Sequence, residues 1–288
     1  MNKNKPEKSP PTTILLATDL SARCDRALDR AAQLAKEWQA KLIALKVIDV
    51  PDTPDQLLAW VDNKSDDSVL DVAAKQMARD VSDLGIAVSM HIIRATDTAA
   101  AIQQTALETG SDMIVTGMAR NEILGRFLLG STVLDLSRSV SIPLLVVRNR
   151  VHAPYQRILV ATDFSEFSRQ ALRLSSRWFP EQTLTVYHAH ETPFSGLSSK
   201  HVEISRNLEQ GEFTDFIKNS NLPVNAHIKP AIELGVLAPT LTQYVRDHDI
   251  DLVVIGSNGN RGLMGDIIGS NASALLDWLP CDTLVVRS

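Results

Sequence analysis

The sequence predicts an α/β protein of two tandem doubly wound domains, each a five-stranded parallel sheet of order 3-2-1-4-5 with helices on both faces. Three observations predict it. First, the chain says the same thing twice: Thr13-Ile-Leu-Leu-Ala-Thr-Asp-Leu-Ser21 returns as Arg157-Ile-Leu-Val-Ala-Thr-Asp-Phe-Ser165, and Asp112-Met-Ile-Val-Thr-Gly117 returns as Asp251-Leu-Val-Val-Ile-Gly256. Gly130-Ser131 is likewise matched by Gly269-Ser270, and Leu144-Leu-Val-Val-Arg148 by Thr283-Leu-Val-Val-Arg287. Matches in one order along the chain mean two copies of one unit. Second, the apolar runs are of strand length and nearly continuous rather than alternating, as in strands covered on both faces. Third, these runs alternate with longer segments of helical spacing, the signature of parallel βαβ units.

In the first copy the strands fall at Ile14–Ala17, Leu42–Ile48, Val88–Ile93, Met113–Val115 and Leu144–Val147. Helices fall between them at Ala22–Trp38, Val69–Leu84, Ala99–Glu108 and Thr132–Ser139, with Leu28, Ala31, Ala32 and Ala35 on one face of the first. The second copy repeats the order with strands at Ile158–Ala161, Leu184–Ala189, Val224–Ile228, Leu252–Ile255 and Leu284–Val286 and its second helix over Ser198–Asn219. Asn121–Leu129 reads as a short buried helix or lid, and Arg148–Gln156, with Pro154, as the linker. The expected organisation is a disordered leader over 1–11, a first domain over 12–150 and a second over 151–288.

Composition narrows the function classes. At 288 residues and 44% hydrophobic content, each half can bury its own core. A net charge of -5 and 5% aromatics give no footprint for nucleic acid, which wants a basic stripe. Met1–Pro11 is polar without an apolar core, so no secretory signal is read, and no stretch approaches the roughly 20 apolar residues of a membrane span. The two cysteines, Cys24 and Cys281, make no disulfide framework and read as packing thiols in a reducing cytoplasm. His188 and His190 share a strand face but lack a positioned third ligand, so no metal site is expected. The acidic run from Asp49 to Asp67 reads as a solvated loop.

An order of 3-2-1-4-5 sets the first and fourth strands side by side at a switch point, where a ligand crevice opens at their carboxyl ends. In the second copy those ends are Ala161-Thr162-Asp163-Phe164-Ser165 and the segment Gly256-Ser-Asn-Gly-Asn-Arg-Gly-Leu-Met-Gly-Asp-Ile-Ile-Gly-Ser-Asn271. Gly256, Gly259 and Gly269 permit positive φ and close backbone approach, so amides could face a phosphate. Ser270 and Asn271 stand where the next helix begins, a ready anion site. Asp163 could accept from a base or a ribose hydroxyl. Against this stands the plain alternative that the loop is only a turn and Ser270 only a helix cap.

With these residues the chain resembles a tandem universal stress protein over nearly its whole length. The ATP-binding subgroup of that family carries Gly, two residues, Gly, nine residues, Gly and then Ser or Thr, and Gly256, Gly259, Gly269 and Ser270 fit that spacing. Thr162-Asp163-Phe164-Ser165 resembles the family's adenine-side strand end, and Ala189 matches the position whose backbone lines the adenine. The resemblance implies ATP, or ADP or AMP, with or without magnesium, bound by Ala161, Thr162, Asp163, Ser165, Ala189, Gly256, Gly259, Gly269, Ser270 and Asn271. It further implies a cytoplasmic stress-response protein acting through conformation or partners, with no catalytic residue assigned. Single-domain relatives dimerise through the last strand, so the two copies are expected to form an intramolecular pseudo-dimer, with a homodimer open.

The first copy departs at Arg120, which stands where the second glycine should be. A Cβ and a long side chain disfavour left-handed backbone and fill phosphate space, so this copy reads as impaired. Asp19, Val47, Gly130 and Ser131 are then relics or parts of an altered pocket, in which Arg120 could meet another anion. GxxxxGK[ST] and GxGxxG are both absent, which removes support for P-loop motor chemistry and dinucleotide oxidoreduction. No arginine finger, phosphate-loop lysine or water-positioning base is visible, so an enzyme is not expected, although slow ATP turnover is compatible. The competing class is a nucleotide-independent scaffold or chaperone-like protein. Adenylyl transfer ranks last, since Ser165–Arg173 lacks paired histidines.

Overall fold

The computed structural model describes residues 9–22, 24–50, 66–118, 121–123, 126–128, 130–190, 210–257 and 275–287. The chain divides into two compact units, one of Pro11–Asn121 with Leu128–Pro154 and one built on Tyr155–Ser288. In the first unit the elements are β1 (Thr13–Ala17), α1 (Asp25–Trp38), β2 (Lys41–Asp49), α2 (Asp66–Ser82), β3 (Val88–Ala95), α3 (Thr98–Glu108) and β4 (Met113–Gly117). The chain then carries β5 (Asn121–Ile123) and β6 (Arg126–Leu128), of which Glu122–Phe127 falls outside the first unit, and the first unit resumes with α4 (Ser131–Ser139) and β7 (Leu144–Val147). The second unit carries β8 (Ile158–Ala161), α5 (Glu166–Trp178), β9 (Thr183–His190), β10 (His227–Leu234), α7 (Leu237–Asp247), β11 (Leu252–Ser257) and β12 (Asp282–Arg287). A helix over 210–218, α6, lies between β9 and β10.

Within the first unit the strand order is β3-β2-β1-β4-β7 and within the second β10-β9-β8-β11-β12, both 3-2-1-4-5 and parallel throughout. The continuous apolar runs are the covered strands: β4, β7 and β8 are buried along their whole length. Helix α1 buries Ala27, Ala31, Ala32, Leu34 and Ala35, the small-residue stripe that lets it lie close on the sheet. It ends in a left-handed residue, Gln39, with Ala40 N donating to Ala35 O at 2.9 Å. Helix α3 ends the same way at Gly110, at φ 62°, where only glycine is free of a Cβ penalty, while Asp249 at φ 48° fills that place after α7.

The repeated aspartates that open β4 and β11 have a shared structural role. Asp112 Oδ2 accepts from Thr12 N at 3.0 Å, Thr13 N at 3.3 Å and Thr12 Oγ1 at 2.8 Å. Asp251 Oδ2 accepts from Gln156 N at 3.0 Å and Arg157 N at 2.8 Å. Each carboxylate therefore satisfies the amides at the entrance of its unit's central strand and fixes the register of the two strands that frame the crevice.

Two expectations are corrected. The third strand of the second unit is His227–Leu234, not Val224–Ile228. Val224 is fully exposed, and the strand is an outer one with no buried residue, carrying Pro230, a residue that sheets tolerate at edges because it withholds a ladder donor. Asn121–Leu129 does not form a helix: Asn121–Ile123 and Arg126–Leu128 pair as a two-stranded sheet. The described part of the helix expected over Ser198–Asn219 is 210–218; residues 198–209, and 51–65 of the acidic run, lie outside the described residues. Among the described residues no helix is long and apolar enough to cross a membrane.

Neither cysteine is oxidised. Cys281 is buried, and burial pushes the Cys24 thiol up to about 11, with the Asp19 carboxylate beside it adding to the rise. At pH 7.5 a thiol reagent is therefore expected to label the native protein roughly a hundredfold more slowly than a peptide thiol of ordinary pKa ~8.5. Denaturation should release both thiols. Rapid labelling of Cys24 in folded protein would contradict the packing role.

Candidate functional site

In the second unit β8 lies between β9 and β11, with Ala161 in register with Tyr187 on one side and Ile255 on the other. The chain leaving β8 therefore emerges beside Gly256 and Ser257, the last two residues of β11, and beside the end of β9. The expected switch point is in place, and there the turn after β8 meets Gly256 and Ser257, the described start of the glycine-containing segment.

The turn Thr162–Ser165 is built from its own side chains. Thr162 Oγ1 accepts from Phe164 N at 2.9 Å, and Asp163 Oδ1 accepts from Ser165 N at 3.1 Å. Phe164 is held in left-handed backbone at φ 61°. Ser165 caps α5, its Oγ accepting from Ser168 N at 3.3 Å, while Ser168 Oγ donates to Ser165 O at 3.0 Å. The Thr162 and Ser168 hydroxyls lie 2.9 Å apart, either able to donate to the other. His188 Nδ1 lies 2.8 Å from Thr162 O. Thr162 is buried and Asp163 exposed, so the tip shows the solvent a carboxylate on a fully tied turn.

Burial raises the Asp163 pKa, but hydrogen bonds from the Ser165 side chain and amide and from Ser168 outweigh it and leave the group below the ordinary carboxylate value. At neutral pH Asp163 is thus ionised and accepts only, which suits ribose hydroxyls or an exocyclic amine and disfavours phosphate. A lowered pKa adds stability that is present above the unfolded value near ~3.9 and is lost as pH falls through the folded one.

Ala161 is buried, and Ala189, half-buried, lies two residues past Tyr187, so its backbone runs beyond the end of β8 beside the turn. Gly256 is not at positive φ. Its missing Cβ is required by α5: an added Cβ would lie 2.4 Å from Phe167 C and O and 2.6 Å from Ser168 N. The close backbone approach that glycine permits here is thus made by the protein's own helix. Gly259, Gly269, Ser270 and Asn271 lie outside the described residues, as does Arg120.

The first unit repeats the turn. Thr18 Oγ1 accepts from Leu20 N at 3.0 Å, Asp19 Oδ1 accepts from Ser21 N at 2.8 Å, and Leu20 has φ 61°. Asp19 is also held low: burial raises it, but Ser21 and Cys24 hydrogen bonds and the Lys46 charge prevail. The supports differ: Cys24 stands where Ser168 stands, α1 begins without a side-chain cap, and Lys46 Nζ donates to Asp19 O at 3.2 Å. Val47, the counterpart of Ala189, is buried in β2. Gly130 is the N-cap of α4 and Ser131 opens it, so in this copy the Gly-Ser pair does start a helix.

The sequence reading does not single out Ser168, and it weighs His188, with His190, only as a metal ligand that lacks a third partner. The Ser165-x-x-Ser168 spacing was a legible capping signal, whereas His188 reads only as a polar residue on a covered strand. No group of three or more His, Cys, Asp or Glu among the described residues could hold a metal ion.

Comparison with known proteins agrees with this architecture. A Methanocaldococcus jannaschii universal stress protein is 26% identical over 149 residues, 49% of this chain and 87% of that one. The universal stress protein A homolog 1 of Coxiella burnetii is 28% identical over 142 residues, 46% of this chain and 96% of that one. Among solved structures, a universal stress protein from Archaeoglobus fulgidus superposes with a TM-score of 0.66 at 20% identity, covering 96% of this chain and 98% of that one. A Pseudomonas aeruginosa structure gives 0.69 at 20% identity, covering 96% and 93%. These two share the fold. The sequence profile of the universal stress protein family matches twice, over residues 11–148 and 154–287, and the chain belongs to that family as a tandem protein.

Proposed function

We propose that the second domain binds an adenine nucleotide, ATP foremost, and that the protein acts through the conformation or partner contacts this binding selects rather than through catalysis. The observation that carries this reading is the adjacency of the Asp163 turn and the Gly256–Ser257 end of β11. An acceptor-only carboxylate marks the end for ribose or base. The glycine spacing from Gly256 to Ser270 continues from the neighbouring strand end and supplies amides for the phosphates. Asp163 itself would repel phosphate, so the site has a direction. Bound nucleotide shifts the protein between states only to the extent that it binds them differently.

A second reading has an observation of its own. Gly256 is explained by packing against α5, and the turn residues are satisfied internally, so the crevice could serve as scaffold alone. Asp163→Asn separates the two. Asparagine keeps the oxygen that accepts from Ser165 N, so the turn should be preserved, with the unfolding temperature lowered only by the stability that the ionised carboxylate adds. Nucleotide affinity, measured by calorimetry with and without magnesium, is expected to fall about 10- to 100-fold, the worth of charged hydrogen bonds. Unchanged affinity would remove Asp163 from the site.

A further inference from the structure

We propose that His188 is the positioning residue of the second crevice, clamping the Thr162–Ser165 turn from both sides of Asp163 so that its carboxylate meets the ligand in a fixed direction. This deepens the nucleotide reading above and rests on it for its ligand.

The geometry is specific. On one side of Asp163, His188 Nδ1 is 2.8 Å from Thr162 O, and since a carbonyl only accepts, Nδ1 carries the proton. On the other side the imidazole stacks on the Phe164 ring, centroids 4.3 Å apart with planes at 27°. The Phe164 ring is backed in turn by Phe216 at 5.6 Å and Phe213 at 6.2 Å. Phe164 stands at φ 61°, as Leu20 does in the first unit, so the turn's own hydrogen bonds set this backbone and the stack fixes the ring. One side chain on β9 thus fixes the peptide before Asp163 and the ring after it.

The first unit shows that the fold does not by itself demand this clamp. Leu45 pairs with Ala17 as Tyr187 pairs with Ala161, so Lys46 is the counterpart of His188. Lys46 reaches Asp19 O at 3.2 Å instead, the carbonyl on the far side of the aspartate, and Leu20 offers no ring to stack on. The unit with the complete glycine spacing is the one whose turn is held at both ends.

Three variants divide the contributions: His188→Asn keeps a donor near the Nδ1 position without the ring, His188→Phe keeps the ring without the donor, and His188→Ala keeps neither. ADP and ATP affinities are measured by calorimetry on the full chain, with amide hydrogen exchange at Phe164 and Ser165 and the nitrogen NMR shifts of His188 in the parent. His188→Phe is expected to weaken nucleotide binding about tenfold, the worth of one hydrogen bond, and to speed exchange at Ser165, with His188→Asn recovering most of both. The parent should show the Nδ1–H tautomer. Parent-like affinity and exchange in His188→Phe, or an Nε2–H tautomer in the parent, would overturn the proposal. If the parent binds no nucleotide, the functional reading fails, and exchange and tautomer alone decide the clamp. Should His188→Phe not fold, His188→Asn and the parent's tautomer carry the test.

Discussion

Gly256→Ala is expected to destabilise the second unit by about 1–3 kcal/mol, the usual cost of forcing an extra carbon into a packed interior. That corresponds to a fall in unfolding temperature on the order of 3–10 °C for a unit of this size. The effect is large because the added methyl meets backbone rather than a side chain that can rotate away: Phe167 C and O at 2.4 Å and Ser168 N at 2.6 Å. Either β11 or the first turn of α5 must move. The site feels the same displacement, since Ser168 holds Thr162 Oγ1 at 2.9 Å and is the residue whose amide Ser165 caps. Nucleotide affinity should fall along with stability, and thermal unfolding followed by titration of the folded variant would measure both. A variant as stable as the parent would show that the helix start yields without cost.

Gly259→Arg, which copies Arg120 of the first domain, is expected to weaken adenine nucleotide binding about a hundredfold or more, as for the loss of two or three amide–phosphate hydrogen bonds. The two copies share the same strand-tip turn, with Leu20 and Phe164 both at φ 61°, while the glycine spacing is complete in one copy and broken in the other. Guanidinium attraction for phosphate works against the steric loss. If attraction won, the variant would bind ATP at least as tightly as the parent, and the first domain would become a candidate site in its own right. Calorimetry on the folded variant reads either outcome.

The parts of the fold visible in the sequence were those where burial writes a simple pattern. Ile158–Ala161 and Leu144–Val147 are covered on both faces and therefore apolar throughout, and the helix between β1 and β2 shows its small-residue stripe. The outer strand His227–Leu234 was placed too early, at Val224–Ile228, because an edge strand needs no continuous apolar run and tolerates Pro230. Asn121–Ile123 and Arg126–Leu128 are too short for period to separate strand from helix. The turn Thr162–Ser165 was legible because both copies repeat it. The packing demand on Gly256 was not, since it depends on where α5 crosses β11. Nor was the His188 bond to Thr162 O, a contact between residues 26 apart that only the β8–β9 register creates.

The most direct test of the account is the number of adenine nucleotides bound per chain, measured by calorimetry on folded protein first stripped of ligand, with ATP, ADP and AMP and with and without magnesium. One site per chain is expected, lost in Gly259→Arg and retained in a variant altered at Asp19. Two equivalent sites would contradict the impairment assigned to the Arg120 copy, and no binding to well-folded protein would contradict the nucleotide reading of the second domain.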